Sequence, residues 1–576
     1  MKKRWQILQP DPQSIETLCK TLNCHRATAA ALVNRKITSA KKALVFLNAA
    51  LNHLRPPADI KDMDAAVRRI VDAVIRHEHI LIFGDYDVDG VTATAILLEF
   101  FRYIGTKVSY YIPHRAKEGY GLQVNHISEF ARPRGITLII TVDCGSGSHD
   151  AVKAAQAAGI DVIITDHHIP PGNLPQAVAV VNPKRSECTS GFNDLAGVGV
   201  AFYMLLCLRK QLRDINFWQN RPQPNLKKVC DLVALGTLAD MVPLVDENRI
   251  LSKNGLDIIN TGDRLGIKAL LNVSGIQRHA VDAEDMVFRL IPRLNAAGRL
   301  DHASMGVDLL TTKNFATASK IAQVLSDLNE KRRSLEKTIF DQIRTYLKSN
   351  PHLLQKKTLI LSGNDWHEGV LGIVAARIVN EYFRPVILLS TSGDIARGSA
   401  RSIPGFDIYK GLQACAHDLE SFGGHSMAAG LKIHIEKIAR FQKNFEGAVI
   451  RMTNPDDFIL NRSIDYELDF DEISNTLIDE LESLKPFGTG NHEPIFLARN
   501  IKVTSSAIVG NYHRRMLLKR VSGTRNNIFK AIHYNIRNKA PLPEILDRIV
   551  FRLRWNRWND RKTAQIVIDD TSPNIN

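Results

Sequence analysis

From about residue 80, short apolar runs without strict alternation recur along the chain, each followed by a stretch with helical spacing. IRHEHILIF, KVSYYIP, GITLIITVD, DVIITD and AVAVVNP read as strands, and VTATAILLEFFRYIG and HDAVKAAQAAGI as helices between them. Strands that are apolar on both faces and alternate with helices predict a parallel sheet covered on both sides. The fold class is therefore α/β, with a doubly wound parallel-sheet domain assigned to residues 61–313. Ahead of it, residues 1–60 hold the Ala-rich TAAALVNRKITSAKKALVFLNAAL, which predicts helices packed on that domain's flank. Residues 314–350 carry apolar positions at helical spacing, many charges and no glycine, the pattern of a long connecting helix. A second α/β unit, 351–453, begins at KKTLILSGNDWHEGVLGIVAARI, passes through PVILLS and closes near GLKIHIE. After NPDDF, residues 454–576 form short strand-like runs between turn signals and predict a small β-barrel or sandwich.

Composition narrows the class. Apolar residues make up 44% of the 576 and charged residues 23%, which is ordinary for globular protein and excludes a disordered chain. A formal net charge of +15 points to a polyanionic partner. The excess is uneven: residues 501–576 hold 15 Lys and Arg against 5 Asp and Glu. Seven cysteines, an odd number without a CxxC pair, argue for a reducing compartment and against a zinc knuckle. Pro10 and Pro12 stand where a signal peptide needs an apolar stretch, and no run approaches the ~18 apolar residues of a membrane span. A cytoplasmic protein with no membrane partner is expected.

The candidate chemistry lies at the ends of the predicted strands. LIFGDYDVDG brings Asp85, Asp87 and Asp89, TLIITVDCGS brings Asp143, and DVIITDHH brings Asp166, His167 and His168; Asp240 follows another apolar run, LVALGTLAD. Ligands of open parallel sheets bind outside the carboxyl ends of strands, so these acids converge on one edge. Carboxylates cannot be crowded together and sheltered without a counter-charge. Oxygen donors with one or two imidazoles suit Mn²⁺ or Mg²⁺, and two such ions ~3.5–4 Å apart would clamp the attacking and leaving oxygens of a phosphoryl displacement.

GDYDVDG, TVDCGSG, TDHH and GTLADMVPL, in this order, resemble the four motifs of the DHH phosphoesterase superfamily. PRLNAAGRL, HEGVLGIVAARI, ARGSARSIPGFDI and SFGGHSMAAG extend the resemblance, over essentially the whole chain, to its bacterial single-strand-specific 5′→3′ DNA exonucleases. The resemblance implies a DHH domain, a DHHA1-type domain at 351–453 and an OB-fold at 454–576. It implies two Mn²⁺ or Mg²⁺ ions, with Asp87 on one, Asp89 on the other and Asp143 bridging. His167 and Asp240 would complete the second site, with His168 near the scissile phosphate. Smaller members of the superfamily carry a histidine where this chain has Phe83, which leaves Asp85 as a possible substitute ligand. Asp166 is expected to orient a histidine rather than bind metal.

Substrate contacts are expected from Arg293, Asn295 and Arg299, and from the glycine-rich loops carrying Arg401, Ser402, Gly423, Gly424 and His425. GVGVAF, 197–202, lacks the third glycine of a dinucleotide fingerprint and reads as helix packing. In the C-terminal segment Arg514, Arg515, Lys519, Arg520, Arg552, Arg554, Arg557 and Arg561 interleave with Tyr512, Phe529, Tyr534, Phe551, Trp555 and Trp558. That pattern suits a single-strand platform, with Tyr512 and Trp555 as stacking residues and Phe529 and Phe551 as core. The function expected is degradation of single-stranded DNA from the 5′ end to 5′-mononucleotides, in recombination and repair, by a monomer working with a helicase and a single-strand-binding protein. A small-substrate phosphoesterase acting on nano-RNA or cyclic dinucleotides would have no use for the basic C-terminal segment. A non-catalytic scaffold would show gaps in the ligand set.

Overall fold

The computed structural model describes residues 3–170, 172–276, 281–510, 512–522, 527–536, 539–558 and 561–572. Its first sheet has five parallel strands in the order Val108–Tyr111, Ile80–Gly84, Leu138–Val142, Asp161–Thr165 and Ala179–Val181. Ile80–Gly84 and Leu138–Val142 are buried along their whole length. Ile80, Ile82, Leu138 and Ile140 face helices Met63–Ile75, Val88–Tyr103 and Gly197–Asp214, while Leu81, Phe83 and Ile139 face helix His149–Ala157. Two covered faces account for the unalternating apolar runs. Strand order reverses between Ile80–Gly84 and Leu138–Val142, and a crevice opens outside their carboxyl ends at such a switch point.

Helix Phe315–Ser349 has 35 residues, roughly 50 Å at about 1.5 Å per residue. Asn314 caps it, its side chain accepting the Thr317 N–H at 3.0 Å. Ala318, Ala322 and Leu325 pack into the first domain's core, and Ile339, Phe340, Ile343 and Leu347 into the second's. One apolar stripe therefore serves two cores and fixes the two domains on a common spine. The second sheet runs in the order Ser421–Gly424, Ala428–His434, Ile395–Arg401, Val386–Ser392 and Leu359–Asn364.

The C-terminal unit is a barrel rather than a sandwich. Strand Phe496–Val509 pairs with His513–Arg520 on one side and with Ile545–Trp558 on the other, while Arg561–Ser572 links Ile545–Trp558 to Phe529–His533. The ring of strands closes. Phe470, Phe496, Phe529 and Phe551 pack together inside it.

The N-terminal helices differ from expectation. Leu18, Ala30 and Leu32 share their core with Leu477, Ile478 and Leu481 and with barrel residues Phe496 and Ile549. Glu480 fixes the contact, accepting the His25 N–H at 2.9 Å and the Thr28 hydroxyl at 2.6 Å. Helix Arg26–Asn34 is buried from Ala27 to Val33, so it has no polar face from which its docking side could be read. The joint with the first domain is made by Arg249, which is 1% exposed and donates to the carbonyls of Phe46 at 2.9 Å, Leu484 at 2.8 Å and Lys485 at 2.9 Å.

Candidate metal centre and phosphate site

The chain turns from strand Ile80–Gly84 almost directly into helix Val88–Tyr103, which places three carboxylates at one strand end. Asp87 caps the helix, its Oδ1 accepting the N–H groups of Asp89 at 2.9 Å and Gly90 at 3.1 Å. The Asp89 carboxylate instead meets the N-terminus of helix Gly197–Asp214, accepting the N–H of Gly197 at 2.6 Å and of Val198 at 2.8 Å. A helix N-terminus favours an anion, so the backbone of GVGV holds a ligand carboxylate. This corrects the reading of that stretch as packing alone. Asp143 follows strand Leu138–Val142 with a left-handed φ of 62°. His167 and His168 follow strand Asp161–Thr165, and Asp240 is the last residue of helix Cys230–Asp240.

These elements bring together Asp85, Asp87 and Asp143, whose oxygens lie within 4.8 Å of one another. Asp89, His167 and Asp240 form a second such set, and Asp143, His167 and His168 a third. Asp143 and His167 are shared between sets. Burial, reinforced by neighbouring acids, raises the carboxyl pKa values of Asp85, Asp89 and Asp143 well above the ordinary range. Asp240 is pushed up to about 7, by burial and then by Asp87. Burial, with His168 second, lowers His167 to about 3, so its imidazole is neutral and its contact with Asp143 is not an ion pair.

The arrangement fits divalent cations. His167 Nε2 stands 3.1 Å from Asp143 Oδ1, 3.5 Å from Asp240 Oδ2 and 3.8 Å from Asp89 Oδ2. Neither His167 Nε2 nor Asp143 Oδ1 makes a hydrogen bond, although both are buried. A neutral ring nitrogen and three carboxylates aimed at one space repel each other unless protons are taken up, as the raised pKa values show, or a cation lies between them. Oxygen and imidazole donors suit Mn²⁺ and Mg²⁺. The nearby Cys144 thiol is directed at the Phe83 carbonyl, 3.9 Å away, and does not join the set.

Asp166 faces the other way. Its Oδ1 accepts from the His167 N–H at 2.8 Å, the His168 N–H at 3.1 Å and His168 Nδ1 at 2.8 Å, and its Oδ2 from the Ser146 N–H at 3.0 Å. Burial opposes ionisation of Asp166, but these donors win and hold its carboxyl well below the ordinary range. Burial likewise opposes the charge on His168, yet Asp166 raises it to about 9. Phe83 is fully buried, stacked on Tyr111 at 5.6 Å and tilted on His126 at 4.9 Å, so this position serves packing and offers the centre no ligand. Asp85 Oδ1 is buried without a hydrogen bond.

A cationic cluster adjoins the centre. Arg115 lies over the Tyr86 ring, 4.9 Å from its centroid, and Arg299 Nη1 donates to the Gly369 carbonyl at 3.1 Å across the domain junction. Burial, then the charges of Arg115, Arg332 and Arg401, pushes the Arg299 guanidinium down to about 10. Arg332 pairs with Glu336 at 2.9 Å. Mutual repulsion among these guanidiniums marks a site for a multiply charged anion. His425 faces the same cleft: burial, then His168 and Lys184, lowers its pKa. Gly424, at φ 144°, makes the turn that presents it, because a Cβ there would stand 2.4 Å from the Ala428 carbonyl oxygen. Gly423 lies beside it on strand Ser421–Gly424.

Other expected contacts are occupied elsewhere. Arg293 donates to Ser326 Oγ at 3.3 Å and the Arg289 carbonyl at 2.6 Å, bracing helix against helix, and Asn295 is half-buried on the same helix, Ile291–Leu300. The Ser402 hydroxyl is buried in its turn, donating to the Phe406 carbonyl at 2.6 Å. Trp555 donates to Asp479 at 2.8 Å and carries Lys562 over its ring at 4.2 Å, so that face is covered. Arg520, Arg552, Arg554 and Arg557 pair with carboxylates of the barrel domain, and Arg514 is buried against Ser506 and the Ala540 carbonyl. Much of the basic excess of this segment is thus internal to its fold, while Tyr512, Tyr534 and Arg515 stay exposed. The side chains of Trp558 and Arg561 lie outside the described residues. Sequence reading missed Arg115, Tyr120, Lys184 and the Gly197 and Val198 amides. EGYGL, a tyrosine between two glycines, was the available signal for Tyr120.

Three family models match the chain: the DHH family N-terminal domain at 79–237, the DHHA1 domain at 355–450 and the RecJ OB domain at 464–570. The single-stranded-DNA-specific exonuclease RecJ of Bacillus subtilis is 34% identical over 99% of this chain and 71% of its own length. Its Escherichia coli counterpart is 35% identical, over 92% and 93%. RecJ of Thermus thermophilus, crystallised with Mn²⁺, superposes with a TM-score of 0.83 at 26% identity, covering 99% of this chain and 80% of that one. An Mg²⁺ complex of the same protein gives 0.78 at 25% identity, covering 100% and 79%. With the DHH, DHHA1 and RecJ OB models matched in this order and RecJ relatives aligned over 92–99% of its length, this chain belongs to the RecJ family of DHH phosphoesterases.

Proposed function

We propose that this protein is an exonuclease that hydrolyses single-stranded DNA from the 5′ end and releases 5′-mononucleotides. The observation that carries the reading is the metal-shaped space bounded by His167 Nε2 and three carboxylates, next to a buried guanidinium cluster. Asp87 and Asp85 would hold one divalent ion, Asp89, His167 and Asp240 the other, with Asp143 between them. Bound there, Mn²⁺ or Mg²⁺ supplies Lewis-acid stabilisation of the charge that develops on the phosphoryl oxygens.

The chain's own residues do the rest. Asp166 fixes His168 through Nδ1, leaving Nε2 directed away from Asp166 and able to donate to a phosphate oxygen. Arg115, Arg299 and Arg401 would bind a phosphate of the strand beside the metal centre. Arg299 is buried where the two domains meet, its Nη1 on the Gly369 carbonyl, and a doubly charged terminal phosphate would offset the repulsion among these guanidiniums better than an internal phosphodiester, which favours a strand end. His425 closes the cleft from the second domain, and Tyr512 offers a stacking face on the barrel. The protein would act as a monomer in the cytoplasm, in recombination and repair, beside a helicase and a single-strand-binding protein. No helix among the described residues is long and apolar enough to cross a membrane.

Digestion of 5′- and 3′-labelled single strands with Mn²⁺ tests the reading. Early release of labelled mononucleotide from the 5′-labelled strand is expected. Activity on dinucleotides alone, or none, would refute it.

A further inference from the structure

The loop at 113–122 packs against the metal centre without contributing a ligand to any of its three donor sets. Tyr120 sits in it between Gly119 at φ 81° and Gly121 at φ 82°, left-handed conformations that glycine adopts without strain. Glu118 anchors the loop: its Oε1 accepts the Tyr111 hydroxyl at 2.6 Å and faces His126 Nε2 at 3.2 Å, and its Oε2 accepts the His114 N–H. The Tyr120 ring stands edge-on to Tyr86, 6.5 Å between centroids, in the turn that carries Asp85 and Asp87. Its hydroxyl reaches the Asp143 carbonyl at 3.1 Å and His168 Nδ1 at 3.1 Å.

We infer that Tyr120 is a positioning residue of the metal centre, its hydroxyl tying the left-handed Asp143 backbone to the His168 ring. Asp143 is a non-glycine residue at φ 62°, a conformation that persists only where the surroundings over-determine it. That turn decides where the carboxylate shared by two donor sets points. On its N-terminal side the backbone is held by the Asp143 N–H donating to the Thr165 carbonyl at 3.0 Å. On its carbonyl side the hydroxyl of Tyr120 is the donor. One hydroxyl meets both demands: it donates its proton to the Asp143 carbonyl and accepts, as a second partner beside Asp166, from His168 Nδ1. It thereby couples the ends of two neighbouring strands at the point where ligands from both must converge.

The inference rests on Asp143 being a metal ligand, and Mn²⁺ titration by calorimetry separates the two claims. Tyr120→Phe keeps the ring and deletes only the tie. Mn²⁺ affinity should fall by about tenfold, within the range for groups that orient metal ligands, and Tyr120→Ala should fall no further. kcat on a single-stranded oligonucleotide should drop in parallel while KM stays put. Gly121→Ala, which strains the loop at φ 82° and leaves the hydroxyl intact, should reproduce the loss of affinity. If Tyr120→Phe binds Mn²⁺ within twofold of the parent, the inference is overturned and the metal centre stands. It is equally overturned if only Tyr120→Ala loses affinity, because the ring alone would then matter. Failure of the parent protein to bind Mn²⁺ overturns both.

Discussion

Gly197 offers the sharpest test of the metal centre, because substitution there sets two effects against each other. An alanine Cβ at Gly197 would stand 2.6 Å from Asp143 Oδ1, 2.8 Å from its Cβ and 2.9 Å from its Cγ. Ordinary contact begins at 3.4 Å, so the carboxylate or the helix must retreat by about 0.8 Å. A functional site tolerates displacement of about 0.5 Å, and ligand distances of about ±0.2 Å. Gly197→Ala should therefore weaken Mn²⁺ binding by about 10–100-fold, or ~1.4–2.7 kcal/mol. Against this, alanine is the better helix former by ~0.5–1 kcal/mol, and Gly197 opens helix Gly197–Asp214 at a φ that imposes no strain. Overpacking costs about 1–3 kcal/mol in a closed core, but a metal-free site can yield. The metal-free variant should thus melt within a few degrees of the parent, while the upward shift in melting temperature caused by Mn²⁺ shrinks. Calorimetric titration and paired thermal melts measure both. Parental Mn²⁺ affinity in a folded Gly197→Ala protein would refute the placement of Asp143 at the centre.

Asp143→Ala should abolish Mn²⁺-dependent cleavage, lowering kcat by more than about 100-fold, the upper range for merely outer partners, while fluorescence anisotropy still reports binding of single-stranded oligonucleotides. Retained cleavage would contradict its bridging role. Arg115→Met should raise KM for 5′-phosphorylated strands by about 10–100-fold, the worth of one charge-assisted hydrogen bond, and leave 5′-hydroxyl strands little changed. Equal effects on both would remove the guanidinium cluster from terminal-phosphate recognition. Deleting 455–576 should yield an aggregating protein, because Leu18, Ala30 and Leu32 would lose the barrel-side half of their core. Deleting 1–45 together with 455–576 should restore a soluble, Mn²⁺-binding remainder, as size-exclusion chromatography would show.

How much of this was legible depended on whether the signal was local. The strands ending in Asp85, Asp143 and Asp166 could be read because burial on both faces writes continuous apolar runs, and the acids follow directly in sequence. The stripe of helix Phe315–Ser349 was equally plain, since a 3.6-residue period survives even when the two ends enter different cores. The docking of helix Arg26–Asn34 was not, because a helix buried all round carries no mark of its partner.

The same division runs through the site. Local sequence determined which side chains could bind a cation, since carboxylate and imidazole chemistry belongs to the residue wherever it lies. Tertiary structure decided which of them meet, which arginines are left for a phosphate and which are locked into the barrel wall. It also turned Gly197 and Val198 from packing residues into the amides that hold Asp89. Those outcomes depend on distances between segments apart in the chain, by 17 residues for Arg552 and Asp569 and by 108 for Asp89 and Gly197, set by how two sheets, a spine helix and a barrel close on one another, and no local pattern encodes a distance of that kind.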